Sequence, residues 1–163
     1  CKLAQNGRNI IMGLSKDGNL SKSWETESLP KDIAQFIFMR TDLASLNPGK
    51  AMAQAAHAGD VLRHKVRDEL VLEDKYQMWR DANDGVFGTC LVYGITEKQY
   101  RTIFTPSFQE NFLAGPYVVH DPTYPLIDGD ICHQIPLDTC WVALGFRGKV
   151  GRLLHLNDIS LHA

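Results

Sequence analysis

Long apolar runs and paired cysteine motifs are absent from this chain. No run approaches the roughly 20 apolar residues that a membrane helix needs, and no charged-then-apolar segment typical of a signal peptide opens the sequence. The four cysteines show neither C-x-x-C nor Cys/His metal spacing, which argues against a disulfide framework or a zinc site. We therefore expect a reducing, cytoplasmic setting, no membrane, no metal and no cofactor.

Excess positive charge is also missing. The net charge of −2 is not that of a typical nucleic-acid-binding protein, so any such function must use local clusters. Two basic clusters stand out: Arg63, His64, Lys65 and Arg67; and Arg147, Lys149 and Arg152. Basic residues near the end of a helix are also expected from the helix dipole, so a solvated helix face is the alternative interpretation.

The most informative stretch of the chain predicts a strand, a turn and a helix. Phe36–Met39 is a continuous apolar run, the pattern of a strand buried on both faces in an α/β protein. Asn47 is a good N-cap residue, and Pro48 occupies the first helical position, where proline is preferred. An alanine-rich segment follows, and we predict a helix from Pro48 to about Val66.

Three polar residues fall on or near one face of this predicted helix. Lys50 lies in the first turn, Gln54 four residues on and His57 seven. A cation in the first turn opposes the helix dipole, whereas together with free backbone amides it can bind an anion or stabilise an ester. The alternative interpretation is that all three residues lie on a solvent-exposed face of the helix. For His57 a further alternative is a histidine packed under a neighbouring element.

The same stretch resembles the type 2 peptidyl-tRNA hydrolases. In that family a strand ends in Arg-x-Asp-Leu, and a helix follows with Gly-Lys-x-x-x-Gln-x-x-His-Ala. The matching positions here are Arg40, Asp42, Leu43, Gly49, Lys50, Gln54, His57 and Ala58. The resemblance implies hydrolysis of the ester between a peptide and the terminal ribose of its tRNA, with free tRNA as a product.

The remaining elements predicted from the sequence follow the order that the resemblance implies. They are a helix over Leu70–Asp81, a turn at Asp84-Gly85, a strand over Gly88–Tyr93, a helix over Thr96–Ile103, and strands over Tyr117–Asp121 and Thr139–Gly145. Alternation of strands and helices independently favours an α/β protein. We expect a three-layer α/β/α sandwich with a four-stranded mixed sheet over residues 32–163.

The resemblance also assigns site residues. It implies a catalytic group made of Lys50, Gln54, His57, Asp121 and Thr139. We expect Lys50 to stabilise the oxyanion or a phosphate, and Asp121 to orient Lys50 or act as a base toward water. An aspartate that caps a turn before proline is the alternative for Asp121. The predicted contacts to substrate are Arg40, Arg63, Lys65, Arg67, Thr123 and His133.

The region after Asp121 departs from the family pattern. The family has Asp-Ala-Gly-x-Thr, whereas this chain reads Asp121-Pro-Thr-Tyr-Pro125, so the glycine is gone and the threonine is displaced. Aligning instead on Gln134-Ile-Pro136 would put His133 where the threonine belongs. Thr123 and His133 therefore remain alternatives. The segment 126–138 is expected to be a link longer than the family usually has.

Two further matters stay open at this point. Residues 1–31 are not explained by the resemblance, and we treat them as an N-terminal extension of unknown role. Cys1 is either an N-terminal nucleophile or a boundary of the sequence. The alternative to an enzyme is a fold relative that binds tRNA or a protein without turnover, and a homodimer is left open for either.

Overall fold

The structure is a computed structural model that describes residues 32–68, 70–82 and 87–162. The proposed extension over residues 1–31, including Cys1, lies outside these ranges, as does the predicted turn at Asp84-Gly85. The described elements, in chain order, are β1 (Ile33–Arg40), α1 (Pro48–Arg67), α2 (Leu70–Asp81), β2 (Thr89–Ile95), α3 (Glu97–Ile103), α4 (Pro106–Gln109), β3 (Phe112–Asp128), β4 (Ile131–Phe146) and α5 (Arg147–Leu156).

The four strands form one mixed sheet in the order β2-β1-β4-β3. β1 pairs with β2 in parallel, and the β1–β4 and β3–β4 pairs are antiparallel. The parallel pair is joined by the crossover that contains α1 and α2, as parallel neighbours require. The predicted mixed α/β fold with a four-stranded sheet is therefore confirmed.

Strand β1 is the centre of the packing. All eight of its residues are buried, as the continuous apolar run predicts. Because successive side chains of a strand point to opposite faces, Ile33, Ile37 and Met39 belong to one apolar cluster and Ala34, Phe36 and Phe38 to another.

Helices cover both clusters. The cluster of Ile37 includes Leu62 and Val66 of α1 and Trp79 of α2. The cluster of Phe36 includes Val150 and Leu154 of α5, with Tyr100 of α3 and Phe108 of α4 packed against it. Helices on both faces of the sheet agree with the expected sandwich.

Local signals account for the helices that the sequence predicts. The side chain of Asn47 accepts a hydrogen bond from the Lys50 backbone N–H at 2.9 Å, which caps α1 as expected. Thr96 and Gln99 form a reciprocal capping box at the start of α3. Helix α2 has the predicted bounds, Leu70–Asp81.

The short helix α4 was not predicted, and two larger parts of the fold also differ from the sequence prediction. The segment 126–138 was expected to be a long link between strands. Instead, β3 and β4 continue through it as a hairpin that turns at Gly129 and Asp130. Strand β3 lies at the edge of the sheet, where the prolines at 122 and 125 are tolerated. Helix α5 was not predicted, since it has no side-chain cap and contains Gly148 and Gly151, which are poor helix formers.

None of the helices in the described ranges combines the length and the apolarity needed to cross a membrane.

The unpredicted helix α5 allows a matched test of the core. Leu154 is fully buried and Leu156, two residues on, is 78% exposed. We expect Leu154→Ala to lower the free energy of unfolding by roughly 2–5 kcal/mol, because it opens a cavity in the apolar cluster that contains Phe36 and Phe38. Leu156→Ala should change it by no more than about 0.5 kcal/mol. Urea unfolding measures both, and equal losses would contradict the packing of α5 on the sheet.

Candidate active site

The first two turns of α1 carry the candidate site. Asn47 fixes where the helix begins, so Lys50 and Gln54 lie one turn apart on the same side. Gln54 is buried together with Ala58 and Leu62 of the same helix, so it does not lie on a solvent-exposed helix face. A buried amide needs hydrogen-bond partners, and the sheet supplies them.

The Gln54 amide joins two strands. Its Nε2 donates to Asp121 Oδ2 of β3 at 2.7 Å, and its Oε1 accepts from the Thr139 hydroxyl of β4 at 2.6 Å. Gln54 is 4% exposed and Thr139 is fully buried. Three residues that the sequence assigns to the site, from three separate elements, therefore share one hydrogen-bonded chain, which we call the Gln54 network.

The second carboxylate oxygen of Asp121 stabilises a local turn. Asp121 Oδ1 accepts from the Thr123 backbone N–H at 2.9 Å, the bond of an Asx turn. The interpretation of Asp121 as a residue that caps a turn is therefore confirmed, and this bond coexists with the bond to Gln54. Both oxygens are held, so the orientation of the carboxylate is fixed.

The Lys50 side chain points to the same segment of β3 but not to the carboxylate. Its Nζ donates to the Pro125 carbonyl oxygen and lies 5.2 Å from the centre of the Tyr124 ring, a cation–π contact. Within the described part of the chain, Lys50 forms no ion pair with any carboxylate. Asp121 therefore does not orient Lys50 by a direct contact. The two residues are connected through the backbone of the segment 121–125, whose Pro125 carbonyl accepts the hydrogen bond from Lys50.

The partners of Lys50 lie in the segment 121–125, where the sequence departs from the family pattern. Tyr124 and Pro125 stand in the rebuilt segment, and Ser45 also donates to the Pro125 carbonyl, at 3.1 Å. Tyr124 is fully buried, and its hydroxyl has no hydrogen-bond partner among the described residues. These contacts fasten the β3–β4 hairpin to the start of α1, and nothing in the sequence pattern pointed to Tyr124.

A cleft of about 250 Å³ opens beside the Gln54 network. Its walls include His57 and Asp60 of α1 and His120 and Asp121 of β3. His57 is exposed, so its interpretation as a packed histidine is wrong. Asp121 of the network therefore lines a cleft that is large enough for a small molecule.

His120 and Asp138 form a pair that sequence reasoning missed. They are cross-strand partners in the β3–β4 ladder, and His120 Nδ1 lies 2.8 Å from Asp138 Oδ1. The only signal was the position of His120 directly before Asp121. The pairing with Asp138 could not be seen, because the segment 126–138 was predicted as a link.

The two alternatives for the displaced threonine have different surroundings. Thr123 reaches Asp121 through its backbone N–H and its side chain is exposed. His133 is exposed in the hairpin opposite Leu126, one position beyond the pair that contains Pro125. Of the two, Thr123 is the one in direct contact with the Gln54 network.

Arg40 is held inside the protein. It is 7% exposed, and it donates to Asp42 through Nε at 2.9 Å and Nη2 at 3.2 Å. Its Nη1 donates to the Asp138 carbonyl and forms an ion pair with Glu97, both at 3.1 Å. All three guanidinium nitrogens are therefore engaged, which suits a role in tying β1 to α3 and β4 better than contact with a phosphate.

The remaining predicted substrate contacts lie at the far end of α1. Arg63, Lys65 and Arg67 are exposed, and Arg63 pairs with Asp60 at 2.9 Å. At 1.5 Å of rise per residue, Arg63 is roughly 20 Å along the helix axis from Lys50. These cations are separate from the Lys50 end of the site and available to a large, extended ligand.

The described residues offer no group of three or more His, Cys, Asp and Glu side chains that could hold a metal ion. The cysteines of these ranges, Cys90, Cys132 and Cys140, are free thiols. Cys90 and Cys140 lie in β2 and β4, inside the predicted strands, and burial raises the pKa of Cys140 to about 12. Such a thiol is a core residue rather than a nucleophile.

Comparison with protein-family models, with curated proteins and with solved structures found no match. The resemblance to the type 2 peptidyl-tRNA hydrolases therefore depends on the residues of the strand, the helix and Asp121 themselves.

The surroundings of Arg40 predict a dependence of stability on pH. Burial acts to raise the pKa of Asp42, but hydrogen bonds from Arg40 and the Glu97 backbone N–H, with the charge of Arg40, outweigh it and lower this pKa below its usual 3.8. A lowered pKa in the folded state stabilises the protein above the unfolded pKa, and the stabilisation is lost as the pH falls through the folded value.

We therefore expect Asp42→Asn to lower the free energy of unfolding at about pH 7, and to lower it much less at about pH 3. Asp60→Asn is the control, since the side chain of Asp60 is 71% exposed and such pairs contribute little at either pH. Chemical denaturation at the two pH values measures the difference. If Asp42→Asn lowered the free energy of unfolding by the same amount at both pH values, the result would contradict a lowered pKa of Asp42.

Proposed function

We propose that this protein hydrolyses the ester bond between a peptide and tRNA and releases free tRNA. The observation that supports the proposal is the Gln54 network. Gln54, Asp121 and Thr139 are far apart in the sequence, yet they form one hydrogen-bonded chain beside a cleft. Lys50 lies one helical turn from Gln54 on the same face.

Lys50 is suited to stabilise the oxyanion of the tetrahedral intermediate. An ammonium group has three N–H donors, and the bond to the Pro125 carbonyl uses one of them. The Tyr124 ring and the half-buried position of Lys50 remove part of its water shell, which strengthens its interaction with a developing negative charge.

Asp121 is suited to orient the attacking water. A carboxylate has about four lone-pair directions, and the bonds from Gln54 and Thr123 occupy two. The remaining ones are free to accept a hydrogen bond from a water in the cleft. Because Gln54 and Thr123 fix the carboxylate, this water would meet the ester carbonyl in a defined orientation.

The tRNA itself needs a larger surface than the cleft. The exposed cations Arg63, Lys65 and Arg67 are the proposed phosphate contacts, and their affinity for tRNA should fall with salt. Their separation from Lys50 of roughly 20–25 Å along the helix axis is compatible with a tRNA whose acceptor end enters the site while its backbone lies along α1. We place this activity in the cytoplasm.

A second function has one observation in its favour. Lys50 is engaged by Pro125 and Tyr124 instead of the carboxylate of Asp121, through a segment that departs from the family pattern. A protein whose site had been rebuilt in this way could bind tRNA without cleaving it. Turnover distinguishes the two functions directly.

The test is release of tRNA from a model peptidyl-tRNA under single-turnover conditions. We expect Lys50→Ala to reduce the rate about 10²–10³-fold, the usual effect of removing one oxyanion donor. Lys98→Ala is the control, because Lys98 is an exposed lysine of α3, and it should react like the wild type.

Absence of turnover by folded wild-type protein would contradict the hydrolase. If that protein instead bound tRNA with an affinity that falls with salt, the binding function would replace it. Turnover by Lys50→Ala at the wild-type rate would remove Lys50 from the mechanism.

A further inference from the structure

We infer that the exposed side of α5 binds the phosphate backbone of tRNA. The choice of tRNA as the ligand rests on the proposed function, but the surface is new to it and lies on the face of the sheet opposite to α1. We call this surface the α5 basic face, and it consists of Arg147, Gly148, Lys149, Gly151 and Arg152.

The positive charge of this face is not compensated within the helix. Arg147, Lys149 and Arg152 are exposed, and α5 contains no acidic residue. Within the described ranges none of the three forms an ion pair with a carboxylate. In a protein whose net charge is −2, three unpaired cations on one helix are a local excess of charge that is complementary to a polyanion.

The helix dipole accounts for the cations of α1 but not for those of α5. Lys65 and Arg67 stand in the last turn of α1, where positive charge is favourable. Arg147 and Lys149 stand in the first turn of α5, where positive charge is unfavourable and no acidic residue offsets it. These two cations therefore do not serve the stability of their own helix, whereas a ligand of opposite charge gives them a function.

Two glycines leave room for a ligand on the same helix. A Cβ added at Gly148 or Gly151 would meet no atom of a neighbouring element within 4 Å among the described residues, so packing does not require glycine at either position. Glycine is a poor helix former, but it allows a ligand to approach the backbone closely. Gly148 lies four residues before Arg152 and therefore on the same side of the helix.

The apolar side of α5 is not available to a membrane. Val150 and Leu154 are fully buried in the cluster that contains Phe36, whereas a helix that lies in a membrane surface buries its apolar side among the lipids. The α5 basic face therefore fits a polyanion in water. The proposed function supplies one, because the backbone of tRNA carries a negative charge at each phosphate.

Helix α1 runs along the sheet in the same direction as β4. In its first turn Lys50 contacts Pro125, which lies in the hairpin at the start of β4. One turn further on, Gln54 contacts Thr139, which is further along β4. The last turn of α1 therefore lies toward the end of the sheet at which β4 ends.

Helix α5 starts at that same end of the sheet. Phe146 is the last residue of β4 and Arg147 is the first residue of α5. The cations in the last turn of α1 and those in the first turn of α5 therefore lie toward one end of the sheet, on opposite faces. A tRNA that lies across this end can contact both basic clusters of the sequence.

The test measures the binding of deacylated tRNA at several salt concentrations. One double variant carries Lys149→Gln and Arg152→Gln on α5. Its control carries Lys98→Gln and Arg101→Gln, which change an exposed pair with the same spacing on α3, beyond the end of β2 and thus at the opposite end of the sheet. Both variants lose one lysine and one arginine, so the net charge of the protein changes equally.

We expect the α5 variant to bind tRNA more weakly than the wild type. The slope of the logarithm of the binding constant against the logarithm of the salt concentration should become shallower by roughly 1–2, because two phosphate contacts are lost. The α3 variant should keep the wild-type slope. Urea unfolding checks that both variants fold, and the α5 variant should be no less stable than the wild type, because Lys149 opposes the helix dipole.

Three results would overturn the inference. The first is a wild-type slope in the α5 variant. The second is an equal change of slope in the two variants, because this would show a response to net charge alone. The third is wild-type protein that binds vesicles of anionic phospholipid through Lys149 and Arg152 but does not bind tRNA, which would identify a membrane surface as the ligand.

The outcomes also separate this inference from the proposed function, because deacylated tRNA has no peptide ester to cleave. If the wild type hydrolyses peptidyl-tRNA and the α5 variant binds tRNA like the wild type, the α5 basic face is wrong and the proposed function stands. If the wild type binds tRNA through α5 but does not hydrolyse peptidyl-tRNA, the hydrolase fails and the α5 basic face stands.

Discussion

The buried side-chain amide of Gln54 is the interaction on which the site depends. It reaches from α1 to the carboxylate of Asp121 and to the hydroxyl of Thr139, so it connects one helix with two adjacent strands. A buried amide left without partners is costly. The position of α1 over the sheet and the orientation of Asp121 are therefore linked, and the same contact that stabilises the fold prepares the site.

The β3–β4 hairpin complements this interaction from the outside. Its carbonyl at Pro125 accepts hydrogen bonds from Lys50 and Ser45, and Tyr124 is buried under the ammonium group of Lys50. A lysine in the first turn of a helix is electrostatically unfavourable, and a carbonyl oxygen with an aromatic ring offsets this. The rebuilt segment thus supports the lysine through contacts of its own.

Local signals predicted much of the fold and the α1 side of the candidate site. Helix α1 and the spacing of Lys50 and Gln54 follow from Asn47, Pro48 and a helical period, all of which are readable over a few residues. The bond from Gln54 to Asp121 spans 67 positions, and only the resemblance pointed to it.

The rest could not be predicted, for physical reasons that differ from case to case. The segment 126–138 was expected to be a link, but it forms a hairpin whose edge strand tolerates the prolines at 122 and 125. Because the hairpin was not predicted, the register that pairs His120 with Asp138 was not predicted either. Arg40 was expected to contact substrate, and two of the groups that engage it instead, Glu97 and the Asp138 carbonyl, are distant in the sequence. Helix α5 is stabilised by burial of Val150 and Leu154 against the sheet, not by a cap.

The most direct test of this account is a double-mutant cycle between Gln54 and Thr139, measured as free energies of unfolding in urea. Each single change, Gln54→Leu or Thr139→Val, removes one side of the buried hydrogen bond, and Thr139→Val also leaves the Gln54 oxygen without its donor. We predict that the double variant is more stable than the sum of the single losses implies, with an interaction free energy of about 0.5–3 kcal/mol. Additive losses would contradict the claim that this amide links α1 to the sheet.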